Sequence, residues 1–166
     1  MKSAGKQPVI PSIRVKDIQK SLEFYTKTLG FQTSGWVTRH NGLTAHVSVG
    51  FSTPLLMLSP MEYVRTWRTK ENLLRKMVGV GVEFYISLEG VSTVDAYFKE
   101  LAAKGVTVIN EPKTEFWGDR IFSISDPDGY VLTFSEHIHD VTPEARSASF
   151  DVTHFLVNLD MENSRK

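Results

Sequence analysis

The residues of this chain that could do chemistry are few, and most lie on segments with strand character. Glu83 sits in the run Val82 to Leu88. A carboxylate in a partly apolar cleft has its charged form disfavoured, so Glu83 could act as a general base or anchor a cationic ligand; a salt bridge to Arg14 is the alternative. His46 could share a metal with Glu83, or be a hydrogen-bonded strand histidine. In Glu136-His137-Ile138-His139-Asp140, His137 and His139 share a face at i, i+2, a metal-like spacing. The string lies at a strand end, where two imidazoles beside two acids read as a solvated edge rather than a metal site. Trp36 and Trp117 could stack on a planar ligand, or pack within the protein or an interface. Cysteine is absent, which excludes disulfide scaffolds, thiolate zinc sites and cysteine nucleophiles. No glycine-rich phosphate loop, serine elbow or HExxH string occurs.

These residues need elements to position them, and two amphipathic helices are evident. The first opens after Asp17, carries Ile18, Leu22, Tyr25 and Leu29 on one stripe, and stops at Gly30. The second opens near Ser92, carries Val94, Tyr97, Phe98 and Leu101, and stops at Gly105. The stop glycines and the caps are each 75 positions apart, which marks an internal repeat. A strand-like run precedes each helix, Val9 to Val15 and Val82 to Leu88. Three more follow each: Phe31 to Thr38, Thr44 to Val49 and Leu55 to Leu58 in the first half, and Val106 to Asn110, Arg120 to Ser125 and Tyr130 to Ser135 in the second. Each half therefore reads βαβββ. The predicted organisation is a single α+β domain over 1–138, with module 1 at 8–60, a linker helix at 61–79 and module 2 at 80–138. A tail follows at 139–166, in which Phe150 to Leu159 alternates enough for a late strand or an arm onto a partner.

One helix covers one face of a four-stranded sheet, so the other face must be buried by a second copy or enclose a ligand. Strand parity names the lining. Ile13 and Val15 pack on the helix, so Ile10, Ser12 and Arg14 face the cleft. The same rule gives Thr44, His46 and Ser48; Leu55, Met57 and Ser59; Glu83, Tyr85 and Ser87; and Val131, Thr133 and Ser135. The lining is apolar, aromatic and mildly polar, which suits an amphipathic organic ligand oriented by Arg14, His46 and Glu83. With 19 basic and 19 acidic residues the net charge is zero, so neither nucleic acid nor an anionic membrane is an expected partner. No 18-residue apolar run or signal core occurs, and a cytoplasmic location is the expectation.

The run Ile13-Arg14-Val15-Lys16-Asp17, continuing through Ser21-Leu22-Glu23-Phe24-Tyr25 to Leu29-Gly30-Phe31, resembles the opening of the vicinal oxygen chelate superfamily, which unites glyoxalases, bleomycin resistance proteins and extradiol dioxygenases. Trp117-Gly118-Asp119-Arg120 and Asp126-Pro127-Asp128-Gly129-Tyr130 resemble its closing signature. The resemblance implies paired βαβββ modules forming a U-shaped mixed sheet around a cleft, and, in the enzymes, one divalent metal held from the first and last strands of each module. The matching positions here are Ile10, Met57, Glu83 and Thr133. Only Glu83 keeps a ligand, since neither isoleucine nor a thioether suits a hard divalent ion. The resemblance thus implies the bleomycin-resistance side of the family: a metal-free binder of an aromatic or antibiotic-like compound, lined by Arg14, Trp36, His46, Met57, Glu83, Tyr85, Trp117 and Thr133, acting as a homodimer. The alternative it leaves open is a metal-dependent lyase, isomerase or dioxygenase, with ligands drawn from His46, Glu83, His137 or His139 and Glu83 as base.

Overall fold

A computed structural model describes residues 9–38, 42–61, 79 and 81–149. Strand β1 (Ser12–Val15) leads into helix α1 (Ile18–Glu23), which continues as a π-helical stretch over Phe24–Thr28. The Asp17 carboxylate accepts from the backbone N–H of Gln19 and Lys20 at 3.0 and 3.1 Å, capping donors that the helix itself leaves unpaired. Gly30 stops the helix at φ 75°, a conformation that costs glycine nothing. Strands β2 (Gln32–Thr38), β3 (Thr44–Gly50) and β4 (Leu56–Pro60) complete the first module. The second repeats it: β5 (Glu83–Ser87), α2 (Val94–Ala103), β6 (Thr107–Thr114), β7 (Asp119–Ser125) and β8 (Val131–His137).

The sheet orders are β1-β4-β3-β2 and β5-β8-β7-β6, with the first strand parallel to the fourth and the other pairs antiparallel. Both βαβββ modules are therefore present, related as the repeat predicted. Several boundaries differ. Thr93, not Ser92, caps α2, its hydroxyl accepting from Ala96 N. Strand β6 runs past Asn110 to Thr114, because a register shift after Asn110 lets Pro112 sit on an edge strand where no N–H is demanded of it. A third helix, α3 (Pro143–Ser149), was not expected from the sequence and buries none of its residues. Most of the expected linker helix, Trp67 included, and the expected late strand from Phe150 fall outside the described residues. No described helix is long and apolar enough to cross a membrane.

The two modules join through their helix-covered faces. Ile13, Val15, Val47, Val49, Leu56 and Leu58 of the first sheet lie in one continuous core with Ile86, Phe122, Ile124, Leu132 and Phe134 of the second. A chain of rings, Phe31 to Phe51 to Tyr97 to Phe134, crosses from one module to the other at centroid distances of 4.6, 6.2 and 5.0 Å. The Tyr97 hydroxyl donates to Leu29 O at 2.7 Å, tying α2 to the end of the first helix.

The Asp126-Pro127-Asp128-Gly129 turn makes the second junction. Asp126 accepts from Asp128 N and Tyr130 N within its own turn, at 2.9 and 2.8 Å, and from the Tyr25 hydroxyl of module 1 at 2.8 Å. Asp128 accepts from Lys16 N and from the Ser21 hydroxyl, both at 2.9 Å. The Tyr130 hydroxyl meets the backbone N and O of Arg14 at 3.3 and 3.2 Å. Both aspartates are buried. Burial, reinforced by the Asp126 carboxylate, pushes the Tyr25 hydroxyl well above the usual phenol range.

Candidate functional site

Because the helix-covered faces share one core, the opposite faces of both sheets lie outside it. Pairing register fixes what each presents. On sheet 1, Ser12 pairs with Met57, Arg14 with Ser59, Ser48 with Met57, and Val37 with His46, so these side chains share one face. On sheet 2, Glu83 pairs with Val131, Tyr85 with Thr133, Ser123 with Thr133, and Asp119 with His137. Parity thus placed Arg14, His46, Met57, Glu83, Tyr85 and Thr133 on the open faces, as expected.

The open face of sheet 2 carries two hydrogen-bonded groups. In the first, the Thr133 hydroxyl donates to Glu83 Oε1. Its one proton is then committed, so the Ser123 hydroxyl must be the donor to Thr133 Oγ1, at 2.8 Å. This row runs from β7 through β8 to β5 and fixes the direction of the Glu83 carboxylate. The salt bridge to Arg14 is not formed; a hydroxyl of the neighbouring strand takes its place. In the second group, Trp117 Nε1 donates to the Tyr85 hydroxyl at 3.4 Å, and that hydroxyl donates to Asp119 Oδ2 at 3.2 Å. His137 Nδ1 lies 3.0 Å from Asp119 Oδ1, and its Nε2 lies 3.2 Å from Asp140 Oδ1. Tyr85 and Trp117 therefore form an aromatic rim held by the Asp119 carboxylate, and partial burial raises the Tyr85 phenol from its usual range.

The hydrogen bond from His137 to Asp119, with Asp140 adding to it, holds the imidazole pKa above the usual histidine value. For a group raised in the folded state, the contribution to folding is fully present below the ordinary imidazole pKa and lost as pH rises through the raised one. Asp119→Asn is expected to bring the His137 ring signal, followed by NMR through a pH titration, back towards an ordinary histidine. An unchanged midpoint would show that Asp119 does not hold the ring.

The expected metal-like string is split by the strand itself. Glu136 turns to the helix side and accepts from Val94 N at 2.8 Å, His137 turns to the open face, and His139 lies beyond the end of β8. His46 is on the other sheet, with Nδ1 3.2 Å from the Ser59 hydroxyl. No group of three or more His, Cys, Asp or Glu able to hold a metal occurs among the described residues. Of the four positions that the resemblance implies as metal ligands, Ile10 and Met57 offer no hard donor and Thr133 is engaged with Glu83, so this donor set does not fit a divalent ion.

Trp36 is exposed at an irregular point of β2. A register shift between Ser34 and Val37, with Gly35 at φ 61°, takes it out of the strand alternation, and its indole donates to Thr33 Oγ1 at 3.3 Å. Sequence reasoning also passed over Asp119 and Ser123. Both lie on β7, and parity applied to that strand would have put them on the open face.

Comparison with known proteins gives relatives by sequence and by fold. A bleomycin resistance protein of Geobacillus stearothermophilus is 26% identical over 140 residues, spanning 78% of this chain and 96% of its own length. The crystal structure of TnmS3, an antibiotic binding protein from Streptomyces sp. CB03234, superposes with a TM-score of 0.56 at 24% identity, covering 81% of this chain and 98% of that one. TioX from Micromonospora sp. ML1 gives 0.59 at 16% identity over 78% of this chain and 98% of its own. Residues 8–134 match the family model as well, and with both βαβββ modules in place the chain belongs to the Glyoxalase/Bleomycin resistance protein/Dioxygenase superfamily.

Proposed function

We propose that this protein binds a small, amphipathic, aromatic or antibiotic-like organic compound without a resident metal and without changing it. The observation that carries this reading is the open face of sheet 2, where a hydroxyl-anchored carboxylate, Glu83, sits beside an aromatic rim of exposed Tyr85 and half-buried Trp117. Apolar and aromatic walls with one oriented polar group are the makings of a small-molecule site. The bleomycin resistance and antibiotic binding relatives support the ligand class. Since both sheets turn their helix-covered faces to a common core, a second copy of the chain supplies the opposing wall, and the working unit is a homodimer.

Isothermal titration against a panel of aromatic antibiotics tests this. Saturable binding is expected, with the compound recovered intact. Glu83→Gln is expected to weaken a cationic ligand about tenfold, the loss of one charge-assisted contact, while leaving an uncharged one nearly unaffected. Equal affinities of the two proteins for the cationic ligand would reject the anchoring role. Elemental analysis of protein purified without chelator, with thermal shifts on adding Ni, Zn, Fe and Mn, tests the metal-free part. Stoichiometric metal with a clear stabilisation would overturn it in favour of a lyase, isomerase or dioxygenase.

A further inference from the structure

The open faces of the two sheets differ in charge. Sheet 2 presents Glu83 and Asp119. The strands of sheet 1 contain no acidic residue: none occurs from Phe24 to Met61, nor in β1. On its open face stand Arg14, His46, Ser12, Ser34, Ser48 and Ser59, with Met57 and Val37 among its apolar members.

Arg14 is the centre of this face. Its backbone is held by the Tyr130 hydroxyl; the residue is half-buried, and its guanidinium has no ion pair or hydrogen bond to any described residue. A charged side chain partly removed from water loses hydration, and among the described residues no fixed acceptor offsets that loss. A second group shows the same deficit independently. Ser48, on β3, is 8% exposed, and its hydroxyl has no hydrogen-bond partner among the described residues. Ser59, directly paired with Arg14, is equally buried and carries His46 on its hydroxyl. Guanidinium, hydroxyl and imidazole groups can all donate, and among the described residues no carboxylate competes for them on this face.

We propose that the open face of sheet 1 is an anion subsite, in which Arg14, supported by Ser48, Ser59 and His46, takes the carboxylate or sulfonate of an aromatic organic ligand. The inference rests on the small-molecule reading above and narrows it: the ligand is dipolar, its acidic group set against sheet 1 and its aromatic or basic part against sheet 2. A planar guanidinium matches the two oxygens of such a group, which a lysine does only as a point charge.

The test uses two probes with the same ring, 2-naphthoate and 2-naphthylmethanol, titrated calorimetrically into the full chain. Wild type is expected to bind naphthoate about tenfold more tightly than the alcohol. Arg14→Gln is expected to lower naphthoate affinity about tenfold and leave the alcohol unchanged, while Arg14→Lys keeps naphthoate within about threefold of wild type. Naphthoate binding equal in wild type and Arg14→Gln overturns the anion subsite while the alcohol's binding leaves the binder reading intact. Equal losses for both probes also overturn it, since Arg14 would then be only part of the wall. If neither probe binds wild type, both readings fall together.

Discussion

Asp126→Ala is expected to lower the stability of the protein by about 3 kcal/mol, read as a shift in the urea unfolding midpoint. The substitution strips three buried donors of their acceptor at once: Asp128 N, Tyr130 N and the Tyr25 hydroxyl. The two amides are local to the turn, but the hydroxyl belongs to the other module, so the loss falls on the junction as well as on the turn. Tyr25→Phe, which leaves the turn intact, is expected to cost only about 1 kcal/mol. Combining the two is expected to give less than the sum of their separate effects, because the second change removes a partner already lost. Full additivity would show that the contact between Tyr25 and Asp126 carries no stability of its own.

Burial lifts the Asp126 carboxyl above the ordinary aspartate range, outweighing the three hydrogen bonds that pull it down. Between the ordinary value, about 3.9, and the raised one, the folded protein holds a proton that the unfolded chain has released. This group therefore favours folding most at acid pH, and that share is lost as pH rises through the window. Asp126→Asn, which keeps an acceptor for the two amides and cannot ionise, is expected to flatten the dependence there. A stability profile that keeps its slope in the Asn variant would place the titrating group elsewhere.

Gly118→Ala is expected to cost a further effect of the same order, about 3 kcal/mol, and to disturb the rim of the candidate site. Gly118 has φ 99°, outside the range that an alanine readily adopts, and a Cβ there would lie 2.0 Å from the backbone oxygen of His139. That oxygen is not at the end of a flexible side chain, so the strand end itself must move. The displaced segment is the one fastened to this turn, since Gly118 O accepts from Ile138 N and His139 N at 3.0 and 3.2 Å. His137 is next to it, so its ion pair with Asp119 is expected to break and its pKa to fall back towards an ordinary imidazole. Thermal denaturation and the NMR titration of His137 read the two consequences separately. A variant that melts and titrates like wild type would show that the close approach is not required.

The parts of the fold legible in the sequence are those with a local cause. Asp17 caps a helix because its carboxylate reaches amides two and three residues on, and Gly30 and Gly105 end helices because they alone adopt a positive φ without strain. Alternation placed Ile13 and Val15 in the core and left Arg14 outside it, and likewise buried Ile86 and exposed Tyr85. A local period does not foresee where a strand departs from it, as at the register shift between Ser34 and Val37 in β2 and in the continuation of β6 through Pro112.

Strand and helix periods are properties of neighbouring residues, so the chain order alone determined two βαβββ modules and the side chains that each sheet turns away from its helix. Which groups then meet depends on contacts between residues far apart in the chain, and no local period encodes these. The acceptor of the Tyr25 hydroxyl is 101 positions away, and the donor to Glu83 is 50 away. Only the tertiary structure decided that the Asp126 turn joins the modules, that Thr133 orients Glu83 and that no acid among the described residues pairs with Arg14, because burial of the shared core sets those distances.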